Sequence, residues 1–205
     1  MREAQGPVVS RPAERLPLPN GEKNENPPEL SFWALVAEDF ETHERKLLEP
    51  GFWAVALHRF GNWRMGVRTK LLRAPLTALY RLLFLVVSWP WGIDLPYTAK
   101  LGRRVRIWHH GGIVLGARAI GSDVHIRHNT TLGLLSRDDL TAKPTIEDRV
   151  DIGVGACILG EITVGHDTVV GANSVVVKDV PPNSVVFGVP ARPVKLLRPD
   201  PGAGG

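Results

Sequence analysis

The chain has 205 residues, a formal net charge of +4, 43% hydrophobic residues and one cysteine, Cys157. That length allows one solenoid plus a smaller element, and the aliphatic content is ample for a core, which excludes global disorder. A lone cysteine excludes an internal disulfide framework and a cysteine-rich zinc site, and it fits a reducing, cytoplasmic setting. The basic balance suits an anionic ligand, but no dense Lys/Arg run points to nucleic acid.

The first thirty residues hold six prolines among Asn, Glu and Arg. They read as a flexible arm, residues 1–30, with no apolar stretch of the kind a signal peptide needs. Residues 31–92 read as helical. Ser31 is placed to cap a helix over 32–48, with Phe32, Leu35, Val36 and Phe40 on one face. Pro50-Gly51 should stop it. A second helix is expected over 52–64 and a third over 71–88, with Pro75 in its first turns and Pro90 at its end. The most apolar run, 82–87, is far short of the about 20 residues a membrane span needs. The Trp89-Pro90-Trp91 cluster is expected to pack under a neighbouring element. His43 and His58 have no partner at ligand spacing and read as surface or packing residues.

Residues 93–194 have a different rhythm. Leu, Ile or Val recurs at 101, 107, 113, 120, 126, 132, 146, 152, 158, 164, 170 and 176. Glycine often follows, and small or β-branched residues recur four positions later, as in Val105, Ala117, Thr130 and Ser174. A six-residue period fits neither a helix nor a simple strand. It predicts a parallel β-helix in which each hexad forms one side of a triangular coil of about 18 residues. One extra residue lies between Ile113 and Ile120, and 134–144 must leave the coil as a loop. Pro181-Pro182-Asn183 should turn the chain out, and 185–194 should close the domain. Residues 195–205 read as a flexible tail.

A solenoid is a scaffold, so chemistry must come from particular residues. The densest polar cluster is Trp108-His109-His110-Gly111-Gly112. Asp94 lies fifteen residues before His109, nearly one coil. Aspartate beside histidine is the pairing of a general base, in which the carboxylate orients the imidazole. The same spacing also allows a solvated corner histidine with Asp94 capping a turn. His110 and His128 are further candidates, whereas His125 and His166 read as solvent-facing. The histidines lack the spacing of a strong zinc site, so no metal is expected.

The hexad array, Gly112-Ile113-Val114-Leu115-Gly116 and the closing Gly188-Val189-Pro190-Ala191-Arg192 resemble the serine O-acetyltransferases of the left-handed β-helix acyltransferase superfamily. Gly102-Arg103-Arg104, with Ile126-Arg127-His128, also resembles the acetyltransferases of exopolysaccharide clusters. The resemblance implies a mainly β fold, a left-handed β-helix after an α-helical region. It implies a homotrimer or dimer of trimers with acetyl-CoA, the co-substrate, between neighbours. It places the catalytic pair on His109 and Asp94, pantetheine contacts on Val154 and Ala172, and CoA phosphate contacts on Lys178, Arg192 and Lys195. The expected reaction is acetyl transfer from acetyl-CoA to a hydroxyl acceptor, L-serine by resemblance.

Two departures bear on the acceptor. The serine enzymes carry an aspartate where this chain has Trp108, and a histidine where it has Lys143. An indole cannot pair with an ammonium group but can stack on a sugar. Trp108, His110, His128 and Lys143 are therefore the expected acceptor contacts, and a sugar or polysaccharide-precursor O-acetyltransferase is the alternative. A non-catalytic β-helix binding module is the third reading. The family members that dock into the next enzyme of cysteine synthesis end in isoleucine. Ala203-Gly204-Gly205 offers no such side chain, so no stable complex with that enzyme is expected.

Overall fold

The computed structural model describes residues 21–196. The expectations for the chain before residue 21 and for the Ala203-Gly204-Gly205 end lie outside the described residues. Residues 21–29, expected in a free arm, are instead tied to a helix. The backbone N–H of Glu25 donates to Asn62 Oδ1 (3.1 Å), and Asn26 Nδ2 donates to the Arg59 carbonyl (2.9 Å).

Three helices precede the coil: α1 (Phe32–Thr42), α2 (Pro50–Trp63) and α3 (Lys70–Trp91). Ser31 caps α1, its Oγ accepting from Ala34 N at 3.3 Å. α1 ends six residues earlier than expected, because Glu44 and Arg45 take left-handed backbone angles (φ 58° and 57°). Pro50 does not stop a helix but starts one, at the first position of α2, where a missing N–H costs nothing. α3 runs past Pro90 and ends at Gly92 (φ 60°). It buries only Tyr80 and Val87. Trp91 packs against the core as expected, but Trp89 does not, being 81% exposed.

The coil is a three-sided parallel β-helix. Its first face stacks β1 (Ile93–Asp94), β4 (Ile113–Leu115), β7 (Thr131–Gly133), β10 (Cys157–Leu159) and β13 (Val175–Val176). The second stacks β2 (Lys100–Leu101), β5 (Ala119–Ile120), β8 (Thr145–Ile146) and β11 (Thr163–Val164). The third stacks β3 (Arg106–Ile107), β6 (His125–Ile126), β9 (Asp151–Ile152), β12 (Val169–Val170) and β14 (Ser184–Gly188), edged by β15 (Ala191–Leu196). All twelve hexad aliphatics are buried along the axis. Ile113, however, is not the rung of its coil. Leu115 pairs with Leu132, so the step from Ile107 to Leu115 is two residues longer than a regular side, and the step from Leu115 to Ile120 is one shorter. The Pro181-Pro182 segment does not leave the coil either. Val180 bridges to Val164 and β14 pairs in parallel with β12, so one more partial coil forms before β15 reverses.

α2 closes the open N-terminal end of the coil. Arg59, fully buried, donates to Asp39 Oδ2 (2.9 Å) and Oδ1 (3.3 Å), and to the carbonyls of Leu101 (3.0 Å) and Gly102 (2.6 Å). His58 Nε2 bonds the Ala99 carbonyl (2.8 Å), and Asn62 Nδ2 donates to that of Tyr97 (2.8 Å). A methyl group on Gly51 would strike the Ile107 carbonyl, which is why glycine lies there. His43 and His58 are thus packing residues, both buried. Burial pushes the Asp39 carboxyl up and Arg59 pulls it back. Burial also pushes His43 down and carries His58 down to about 3.

Arg59→Met alone should cost about 3–5 kcal/mol by stranding Asp39, and the Arg59→Met/Asp39→Leu double variant should recover part of that loss in denaturant titration. His58 predicts a pH effect. An unfolded histidine titrates near 6.5 and the native one near 3, so between these values only the unfolded chain binds the proton. Stability should be full above pH 6.5 and fall as pH drops below it; His58→Gln should flatten that slope in thermal melts.

Candidate active site

In each coil the chain passes from the third face to the first through a short turn: residues 108–112, 127–130, 153–156 and 171–174. The turns stack through backbone bonds. Asn129 N donates to the Gly111 carbonyl (2.9 Å), Gly155 N to that of His128 (3.1 Å) and Asn173 N to that of Val154 (2.8 Å). Asn129, Gly155 and Asn173 supply the left-handed residue in the later turns. The first turn has three: His109 (φ 63°), Gly111 (95°) and Gly112 (64°). Its extra length, eight residues from Ile107 to Leu115 against six in a regular side, lifts His109 and His110 into exposure.

Two open clefts flank this turn. One, about 420 Å³, is walled by Phe84, Leu85 and Trp89 of α3 and by Ile113 and Val114, and it holds Asp94. The other, about 470 Å³, lies between the α1–α2 loop and His109 and His110. The backbone binds the two sides closely, with Gly111 N donating to the Trp91 carbonyl (2.8 Å) and Ile113 N to that of Gly92 (2.9 Å). Asp94 pairs in the sheet with Val114, five residues beyond His109, and the Asp94 and His109 side chains are not hydrogen-bonded in this conformation. The Asp94 carboxylate makes no hydrogen bond or ion pair with any described residue. The apolar walls around it push its pKa up. The His109 ring meets the His128 ring edge-on, centroids 5.4 Å apart, and His128 Nδ1 is buried without a partner among the described residues.

Trp108 lines neither cleft. Arg106 lies over one face of the indole, 3.5 Å from its centroid, and Nε1 donates to His125 Nδ1 (3.3 Å). His125 is therefore engaged rather than simply solvent-facing. Arg106 in turn donates to Glu44 (2.6 Å), and Lys46 and Arg106 hold that carboxyl near 2. His166, also read as solvent-facing, pairs with Asp167 at 2.6 Å.

Val154 and Ala172 fall on the same stack of turns as His109 and His128, one and two coils further on. Lys178 is exposed at the far corner of the first face, past β13. Arg192 and Lys195 are exposed on β15, at the edge of the third face. Lys143 lies at the foot of the 134–144 loop, just before β8, and bonds the Thr141 carbonyl through its backbone N–H (2.8 Å). The structure thus brings His109, His110, His128, Val154 and Ala172 onto one ridge, and holds Lys143, Lys178, Arg192 and Lys195 elsewhere. The residues not foreseen are those supporting the site, Asp39, Glu44 and Arg106. Among the described residues no group of three or more His, Cys, Asp or Glu is placed to hold a metal.

The coil, its helical cap and its histidine-bearing corner define a capped parallel β-helix protein with one exposed polar corner. No family model matches the chain. The serine acetyltransferase of Mycobacterium tuberculosis is 41% identical over 154 residues, 75% of this chain and 64% of that protein. Among solved structures, the Neisseria gonorrhoeae serine acetyltransferase in complex with serine is 33% identical with a TM-score of 0.66, covering 80% of this chain and 69% of that one. The Brucella abortus strain S19 serine acetyltransferase in complex with coenzyme A is 26% identical with a TM-score of 0.69, covering 88% and 81%. The chain belongs to the serine acetyltransferase family, and its coil is the left-handed β-helix of that fold family. It spans 50–64% of the length of the first curated relatives it matches.

A methyl group on Gly112 would collide with Asn129 Oδ1 in a left-handed backbone, whereas one on Gly111 would meet nothing within 4 Å. Gly112→Ala should therefore cost about 1–3 kcal/mol through strain and collision, and Gly111→Ala, at φ 95°, a similar amount through backbone strain alone, in thermal denaturation of the two variants.

Proposed function

We propose that this chain is an acetyl-CoA-dependent O-acetyltransferase with L-serine as acceptor. The observation that carries the reading is the ridge of turns on which an exposed His109 stands in line with Val154 and Ala172, in a chain of the serine acetyltransferase family. His109 takes the proton from the acceptor hydroxyl. The oxygen attacks the thioester carbonyl, and backbone amides of the coil stabilise the developing oxyanion. As the C–S bond breaks, the proton passes from the imidazolium to the departing sulfur, leaving an acetyl ester and free CoA. Asp94 is the carboxylate that favours the imidazolium. It is uncommitted, and it stands on the other side of the Gly111-Gly112 turn.

The pantetheine lies along Val154 and Ala172, and Lys178, Arg192 and Lys195 meet the phosphates. The first face, bounded by the His109 corner on one side and the Lys178 corner on the other, is the wall that a neighbouring subunit completes in a homotrimer. Trimers pair further only if the helices allow it. His110 and His128 border the acceptor, with Lys143 reaching from its loop. Acetyl-CoA is an intracellular metabolite, so the reading carries a cytoplasmic location. Arg106 covers one face of Trp108, and the indole lines neither cleft, which is why serine stands first.

The test is release of free CoA from acetyl-CoA with L-serine and with a panel of nucleotide and lipid-linked sugars. Release with serine is expected. His109→Ala should lower kcat by about 10²- to 10⁴-fold while CoA still binds. Asp94→Asn should lower kcat and leave the KM for acetyl-CoA nearly unchanged. Full turnover by His109→Ala would remove the general base from this reading.

A further inference from the structure

α3 is long and apolar enough to cross a membrane, yet its chain neighbours forbid a crossing. α2 enters α3 and the coil leaves it, and these two pack directly on each other through Arg59 and the Leu101 and Gly102 carbonyls. A spanning helix would put them on opposite sides of a bilayer. What α3 presents instead is a stripe. At about 100° per residue, Leu71, Leu82, Val86 and Trp89 share an arc of about 60° on the side away from the buried Tyr80 and Val87. They are 82%, 60%, 57% and 81% exposed.

The charges beside the stripe have one sign. From residue 50 to residue 93 there is no Asp or Glu, and there are six Arg or Lys. Arg59 and Arg64 are buried; Arg68, Lys70 and Arg81 are exposed. Packed against its own copy about a two-fold axis, this helix would bring like charges together with no carboxylate of its own to pair them. An apolar stripe with cations at its edge and a tryptophan at its end matches the boundary between anionic headgroups and acyl chains.

We propose that α3 docks this protein on the surface of an anionic lipid bilayer, lying in the plane of the interface with Leu71, Leu82, Val86 and Trp89 toward the acyl chains. The cations add attraction to the headgroups, so binding weakens as salt rises. This inference stands apart from the acetyl-transfer reading, because Leu71, Leu82 and Val86 line neither cleft; Trp89 also walls the Asp94 cleft and is left unchanged in the test.

The experiment sediments the full chain with vesicles of phosphatidylcholine alone and of equal parts phosphatidylcholine and phosphatidylglycerol, at low and high salt. The wild-type chain should pellet with the mixed vesicles, less so at high salt. The Leu71→Glu/Leu82→Glu/Val86→Glu variant should bind about tenfold or more weakly, with an unchanged far-ultraviolet circular dichroism spectrum and unchanged thioester cleavage in solution. No pelleting of the wild-type chain with the mixed vesicles overturns the proposal, as does equal pelleting of the triple variant. If the wild-type chain ignores vesicles and the triple variant sediments in buffer as a smaller oligomer, the stripe is instead a contact between copies.

Discussion

The buried guanidinium of Arg59 is where the helical region and the coil are made into one structure. A β-helix has an open first coil, whose carbonyls would face either water or another chain. Here side chains of α2 take those carbonyls at Tyr97, Ala99, Leu101 and Gly102. A cation in that position needs a counter-charge, and Asp39 of α1 supplies it with both oxygens. Buried ion pairs add little net stability over an apolar replacement, but removing one partner of such a pair is costly. The pair fixes α1 and α2 against the coil, and through Gly51 against Ile107, the residue just before the site turn. The other end is closed by backbone, with β15 antiparallel on β14.

The site arises where the regular coil is broken. A hexad side can hold aliphatics, glycine and little else. The eight-residue step from Ile107 to Leu115 relaxes that demand, and the three left-handed residues between them let two histidines project. The coil absorbs the disturbance by the next rung, since Leu115 is again in register with Leu132. Later turns repeat the geometry with Asn or Gly in the left-handed place, so the ridge continues past His128, whose ring meets that of His109, to Val154 and Ala172.

The period of six made the coil legible from sequence, because each rung repeats one steric requirement. The same regularity hid the true rung at Leu115: Ile113 and Leu115 are both aliphatic and both buried, and only the sheet pairing separates them. Pro181-Pro182 misled for a related reason. Proline cannot donate to a ladder, but it sits at a corner here, where the Pro181 carbonyl accepts from Ser184 Oγ and the N–H groups of Val180 and Asn183 make the backbone bonds. The histidine corner was legible as polar residues out of place, but its two-cleft arrangement was not, since it depends on α3 and on the α1–α2 loop, remote in sequence. Trp108 showed the limit most clearly. Its partners are Arg106, two residues away, and His125, one coil away. Neither link can be read until the coil's register is known.

The carboxylates of the coil give a physical basis for singling out Asp94. Asp123 is held by Arg104, Asp151 by Arg127 and Asp167 by Arg149. Asp148 accepts from Ser122 N and Asp179 from Thr163 N. Exposed pairs of this kind contribute about 0–1 kcal/mol each, and they tie one coil to the next. Asp94 ties nothing. It faces an apolar cleft that raises its pKa, which is a cost to the folded state with no structural return. Asp94 is thus the carboxylate that the coil does not use, one turn away from an exposed histidine.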